Sequence, residues 1–439
     1  MKRLLICLLV ILLASGYTLA QEKLDLEKSL QIALEQSPVV IKARAEIKAA
    51  EGAAGQAWAG FLPQLSLSGG LGKYYSEPQT MQITMMGTPS VFSFGTDEQA
   101  DTYSYTASLT QAIYTGGRLT SSLGMANKGL DIAKEELRRI TQELRFNVIS
   151  AYYSVLKAQK MVKLSEESVN MAKSHLEHIS SLFKVGMSTR ADILRGEVQL
   201  AQAELVLTKA KQALEIARNH FNSTLGRDLD VPVDLVEIEY DSKKVTIYDY
   251  KDLLKIAYES RPDWGQFILS KQISEDEVRI AYSGLSPMLS LIGNYDAGST
   301  KYSSYQTDHK TWTALLSASW NIFDGTATWN KIKEANARLE AQAAEESNVR
   351  RAIALEVKDA SFMLKSSLEN LESARKTQEL AEESFKYADL RYRSGIGTNL
   401  EVIDSQLSLT QARIENLEAQ HDLQIAKARV NKVIGREIY

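Results

Sequence analysis

From Thr311 to Phe323 the apolar residues Trp312, Ala314, Leu316, Ala318, Trp320 and Ile322 fall on every second position. Thr311, Thr313, Ser317, Ser319 and Asn321 lie between them. A period of two predicts a β-strand with one apolar and one polar face. The alternation recurs upstream, where Tyr103, Tyr105, Ala107 and Leu109 interleave with Thr102, Ser104, Thr106, Ser108 and Thr110. Weaker strands follow Pro63 and Pro287, carrying Leu65, Leu67 and Leu71 in one place and Leu289, Leu291 and Tyr295 in the other. The pattern therefore predicts two β-hairpins, 64–114 and 288–323. The first has a long loop, Ser76–Ala100, and the second a much shorter one.

A different period governs the stretches that follow. Ile353, Val357, Ala360, Leu364, Ser367, Leu371, Ala374, Gln378, Ala381, Phe385, Ala388 and Tyr392 advance by alternate steps of four and three. That seven-residue repeat predicts a left-handed coiled coil. Residues 326–393 contain neither proline nor glycine, and residues 118–184 contain no proline and only Gly124 and Gly129. Each stretch is thus predicted as one helix, roughly 100 Å long at about 1.5 Å per residue. Helices of that length need neighbours to cover their apolar stripes. They stop at Gly186 and Gly395, and return helices 191–225 and 400–434 follow, both ending in Gly-Arg. Shorter helices over roughly 39–61 and 263–284 end before Pro63 and Pro287. Taken alone, the heptad stripe also fits an ordinary soluble coiled coil, and the strands fit a sheet with one wet face.

These elements occur twice in the same order. Ile32-Ala33-Leu34-Glu35-Gln36-Ser37-Pro38 is answered by Ile256-Ala257-Tyr258-Glu259-Ser260-Arg261-Pro262, 224 positions later. After the first strand pair the offset becomes 209: Phe183-Lys184-Val185-Gly186 pairs with Tyr392-Arg393-Ser394-Gly395, and Leu225-Gly226-Arg227 with Ile434-Gly435-Arg436. A unit this long is a duplicated domain, since solenoid repeats are far shorter. The longer first loop accounts for the change of offset. The expected organisation is a signal peptide at 1–20, a first repeat at 21–228, a linker at 229–247 and a second repeat at 248–439.

Met1-Lys2-Arg3, an apolar run from Leu4 to Leu13 and Thr18-Leu19-Ala20 have the form of a secretory leader. Cys7, the only cysteine, lies inside that run, so the exported chain has no disulfide to rely on. Removing residues 1–20 takes the formal net charge from −4 to −6, which argues against nucleic acid as a partner. The chain has no phosphate loop, no His-Glu-x-x-His and no nucleophile elbow, so no enzyme chemistry, cofactor or metal is expected. His175 and His178 lie three apart on a predicted helix and suit a polar face better than a metal site. Trp312 and Trp320 share a strand face about 26 Å apart. With Tyr103 and Tyr105 they fit aromatic residues facing a lipid band. Lipid tolerates no open sheet edge, so four strands placed there would have to share a barrel with other chains.

The leader, the duplicated halves, one hairpin per half, two very long helices and two returning helices together resemble the TolC family of outer-membrane efflux proteins. The resemblance spans nearly all of residues 24–436. It implies a mainly α fold with a small membrane β part. Three copies would form one α-barrel in the periplasm and one shared twelve-stranded β-barrel in the outer membrane. The implied function is a passive exit duct, in contact with outer-membrane lipid and coupled by a periplasmic adaptor to an inner-membrane transporter. The competing reading is a periplasmic coiled-coil tether or adaptor without a channel. The family's adaptor-contacting tips would be Val185-Gly186-Met187 and Ser394-Gly395-Ile396, the second departing from the family's Val-Gly-Leu type at its first position. Asp192 and Tyr392 match family gate positions, and Glu401 and Asp404 match an acidic pair ringing the pore. Acids at a helix start are also favoured by the helix dipole alone. The family's gate arginine would fall at Gly397, so that link is missing here.

Overall fold

The computed structural model describes residues 23–75, 77–85, 87–94, 98–236 and 245–439. The expected leader and part of the expected linker lie outside these residues. The chain divides into two compact units. One comprises Ile47–Ala133 and Phe267–Glu346; the other runs to Glu46 and includes Lys134–Gln266 and Ser347–Tyr439.

The elements, in order, are α1 (Leu26–Gln36), α2 (Pro38–Ala59), β1 (Gln64–Tyr74), β2 (Gln79–Met85), β3 (Thr88–Phe94), β4 (Ala100–Tyr114), α3 (Arg118–Lys184) and α4 (Arg190–Leu225). The second half follows as α5 (Tyr250–Ser260), α6 (Pro262–Ser283), β5 (Met288–Lys301), β6 (Gln306–Ser319), α7 (Ala327–Arg393) and α8 (Asn399–Ile434). Every element of the second half has its counterpart in the first; only β2 and β3 are extra. Two short helices, α1 and α5, precede the prolines of the first repeated motif. Their N-caps, Asp25 and Asp249, accept from the backbone N–H of Lys28 and Lys251. Pro38 and Pro262 then open α2 and α6, where their lack of an N–H costs nothing.

In the first unit β1, β4, β5 and β6 form one antiparallel sheet in that order. The register aligns the period-two pattern across all four strands. Leu67 lies opposite Ala107, Ala107 opposite Tyr295, and Tyr295 opposite Trp312. Leu65, Leu109, Leu71, Tyr103 and Tyr105 share that face. It is bare: Leu67 is 81 % and Trp312 76 % exposed. The other face carries Ser66, Ser68, Thr102, Ser104, Thr106, Asn294, Asp296, Thr311 and Thr313. There Thr106 Oγ1 donates to Asp296 Oδ1 at 2.8 Å. An apolar face left in the open beside a satisfied polar face inverts the arrangement of a water-soluble sheet. β6 stops at Ser319, short of the expected 323. Trp320 therefore lies past the strand, where its indole N–H donates to the carbonyl of Leu285 at 3.1 Å. The long first loop also holds structure of its own, the separate hairpin β2–β3.

In this unit α3 and α6 are tied by charge. Asp276, with a side chain 2 % exposed, is held by Lys128 and Arg279, each at 2.6 Å. Gly124 makes room for it: a Cβ there would approach Asp276 Oδ2 to 3.1 Å.

The second unit is helical and shows the duplication in its core. Val148, Val155, Phe221 and Leu225 are fully buried, and so, 209 positions on, are Val357, Leu364, Val430 and Ile434. On α7 every heptad position named above is buried or half-buried. Tyr152 breaks the symmetry. Its hydroxyl donates to the carbonyl of Val236 at 2.7 Å, and burial pushes its pKa up to about 12. It thereby fastens the segment after the first repeat, whose Val233 and Leu235 join the core while Leu235 bridges to Leu24. Part of the expected linker is thus core. Among the described residues, no helix is long and apolar enough to cross a membrane.

Candidate functional site at the helical tips

The two turns that join α3 to α4 and α7 to α8 are copies of one design. At the first, Gly186 N–H donates to Phe183 and Met187 N–H to Leu182. At the second, Gly395 N–H donates to Tyr392 and Ile396 N–H to Arg391. This double bond needs a left-handed residue at its bend, and Gly186 and Gly395 supply φ of 79° and 76°. The turns leave apolar side chains in water: Val185, Met187 and Ile396 are 69 %, 72 % and 72 % exposed. Thr189 and Thr398 then cap the return helices.

Asp192 and Glu401 sit three residues after those caps and 209 apart, so they are equivalent positions put to different use. Asp192 closes a capping box: its Oδ2 accepts from Thr189 N–H at 3.1 Å and Thr189 Oγ1 at 2.6 Å. Glu401 makes no such return bond. It lies 3.9 Å from Arg391, both side chains being about half exposed. That pair is worth little in water. Asp404, one turn further along α8, is exposed.

The structure joins the two tips through Asn399, which the sequence reading did not single out. Asn399 is buried at the start of α8. Its amide nitrogen donates to Asp192 Oδ1 at 3.2 Å on α4, and its carbonyl oxygen faces His175 Nε2 at 2.8 Å on α3. Since that oxygen only accepts, His175 carries its proton on Nε2. Tyr392 packs against both histidines, tilted to His175 and edge-on to His178, with ring centroids at 5.5 and 5.8 Å. The histidines expected on a polar face therefore stand inside a junction of α3, α4, α7 and α8. A clue was available in the sequence: the histidine pair falls about two to three turns before the Gly186 tip. No such clue marked Asn399, whose partners come from distant segments. Tyr392 is near Asp192 but makes no hydrogen bond to it; Asn399 takes that place. Gly397 cannot carry an arginine without a shift, because a Cβ there would lie 2.9 Å from the backbone nitrogen of Tyr392.

The electrostatics follow from these partners. The Thr189 hydroxyl, with further help from Asn399 and Ser188, holds the Asp192 carboxyl below its usual range. Burial, and then the charge of Asp192, push the Tyr392 hydroxyl up. Burial lowers His175, only partly offset by the bond to Asn399 and by Asp389, while His178 and Arg393 add to the lowering. A histidine with a depressed folded pKa stays neutral while the unfolded chain takes up a proton. The junction should therefore be fully stable above about pH 6.5 and weaken as pH falls from there through the folded value. Hydrogen exchange, corrected for intrinsic rates, should be faster around residues 171–179 and 390–400 at pH 5.5 than at pH 7.5. His175→Gln should flatten that difference, and an unchanged difference would remove His175 as its source.

A sheet with one bare apolar face, one polar face and open edges, in a chain that also carries coiled-coil helices, defines an integral membrane channel completed by assembly. The chain belongs to the outer membrane efflux protein family, whose model matches residues 29–227 and 253–436. It is 23 % identical to the cobalt-zinc-cadmium resistance protein CzcC of Cupriavidus metallidurans, over 82 % of this chain and 84 % of that protein. It is 22 % identical to the outer membrane protein TolC of Escherichia coli, over 99 % and 87 %. Among solved structures, CusC superposes with a TM-score of 0.81 at 16 % identity, covering 96 % of each chain. The family is one of channel proteins. This member is an outer-membrane efflux channel that extends into the periplasm, homotrimeric and working with an adaptor and an inner-membrane pump.

Proposed function

We propose that the channel is a passive duct whose inner end is held shut by the link from Asp192 through Asn399 to His175. Docking of the adaptor on the exposed tips releases it. The observation that carries this reading is Asn399, a buried amide at the start of α8 that bonds both helices of the other hairpin, α3 and α4, at once. A closed state held by a few hydrogen bonds is separated from an open one by a few kcal/mol, which differential binding by a partner can overcome. Val185, Gly186 and Met187 on one tip, and Ser394, Gly395 and Ile396 on the other, form the contact surface. An apolar groove lined by Leu194, Val198, Leu400, Ile403 and Leu407 continues it along α4 and α8. Its members Leu194 and Ile403, like Val198 and Leu407, are again 209 apart. The tether reading is disfavoured, since a periplasmic tether has no use for a sheet whose apolar face is bare.

The test is direct. Outer-membrane fractions should yield trimers that conduct weakly in planar bilayers, and purified adaptor should raise the conductance. Conductance that is high from the outset and indifferent to the adaptor would reject a gated tip. Glu401 and Asp404 supply six exposed carboxylates near the axis of three copies, which attract cations. Replacing both by Ala should weaken block of the single-channel current by divalent cations. Equal block in both proteins would exclude them from the pore ring.

A further inference from the structure

The register of the four-stranded sheet decides which face each charged residue takes. Lys73, Asp101, Lys301, Asp308 and Lys310 all fall on the apolar face, crowded at the end remote from the helices. The polar face is mostly Ser, Thr, Gly and Asn. Its one fixed charge is Asp296, and His309 is the one residue that could add another near neutral pH. Asp296 does not lie at the rim. It stands opposite Thr106 and Thr311, one residue from the Tyr295–Trp312 pair near the middle of the sheet. The partner that donates to it is the Thr106 hydroxyl, at 2.8 Å, and not a cation. A carboxylate at membrane depth is costly unless it meets water, and residues of this kind mark solute paths.

We propose that Asp296 gives the barrel its charge preference, drawing cationic solutes in and holding small anions back. The proposal rests on the assembled trimeric channel and not on the gate at the tips. With the apolar face turned to lipid, the polar face lines the lumen, and three copies set three Asp296 carboxylates around it. Strands about 4.8 Å apart and tilted by about 40° give a twelve-stranded barrel a radius of roughly 12 Å. The Debye length is about 30 Å at 10 mM salt and about 3 Å at 1 M. In dilute salt the field of the three carboxylates therefore fills the lumen. In concentrated salt it collapses onto the wall.

The field can be read at a single thiol introduced by Thr313→Cys. Thr313 shares the polar face, one strand over and two residues along from Asp296, about 7–8 Å away. Purified trimers in neutral detergent at pH 8, above the usual histidine range, are treated with trimethylammonioethyl or sulfonatoethyl methanethiosulfonate, one a cation and one an anion. The unsubstituted protein serves as the blank. Ionisation of the thiol cancels in the ratio of the two rates. Adding Asp296→Asn, whose amide oxygen still accepts from Thr106, should lower the cation-to-anion ratio roughly ninefold at 10 mM salt and leave it unchanged at 1 M. Asn294→Asp, directly opposite position 313, should then restore the ratio. A ratio in intact trimers that ignores Asp296→Asn in dilute salt, or that falls equally at 1 M, would overturn the assignment and leave the channel standing. A Thr313→Cys thiol that neither reagent reaches would instead overturn the wet lumen face on which it rests.

Discussion

Trp312→Arg should largely abolish assembled channel in the outer membrane. Trp312 lies near the middle of β6 on the bare apolar face, opposite Tyr295. A guanidinium near the centre of the bilayer costs about 2–4 kcal/mol. Three copies raise that to roughly 6–12 kcal/mol, comparable with the whole stability of a typical domain. The neighbouring Thr313→Arg provides the contrast. Thr313 points to the polar face, shared with Asn294, so the same cation there meets water and should leave trimer yield close to normal. Quantifying trimers in outer-membrane fractions by gel checks both. Equal yields for the two variants would mean that the apolar face does not meet lipid.

That contrast also marks how far the sequence alone could be read. The two long helices and the strands were legible because each rests on a periodicity that only one backbone geometry satisfies. Steps of four and three from Ile353 to Tyr392 place one stripe inward, and that stripe is buried or half-buried throughout α7. The alternation around Trp312 survives as a sheet face for the same reason. Elements without a dominant period were missed. β2 and β3 carry only a weak strand signal, since Met81, Ile83 and Met85 alone alternate clearly, next to turn residues. The short helices α1 and α5 were hidden by the proline that follows each. At the tips, local signals were strong: glycines at the bends and threonines as caps. The link proposed as a latch was not legible, because its chemistry is non-local. Asp192 was legible through the family resemblance, yet its partner Asn399 lies 207 positions away. The sequence has glycine at 397 where the resemblance implies a gate arginine; nearby, the Asn399 amide bonds both Asp192 and His175.

Asn399→Ala should open the inner end without dissolving the trimer. The substitution removes the donor to Asp192 and the acceptor for His175 in one step. Asp192 keeps Thr189 and Ser188, so its capping role survives. His175 loses its only strong partner within a half-buried junction. Leaving a buried donor unsatisfied costs about 1–3 kcal/mol, and that cost falls on the closed arrangement alone. The closed–open ratio should then move by about 5- to 150-fold, a change that planar-bilayer recordings without adaptor resolve easily. Asn399→Asp sharpens the test. It keeps an acceptor for His175 but sets one carboxylate against another, so the link to Asp192 turns from attraction to repulsion. If Asn399 works as a latch, the aspartate variant opens at least as far as the alanine variant at neutral pH. It closes again as acid neutralises one of the two carboxylates. Recordings in which both variants match the parent protein would reduce Asn399 to a packing residue and leave the gate to Glu401, Asp404 and the tips.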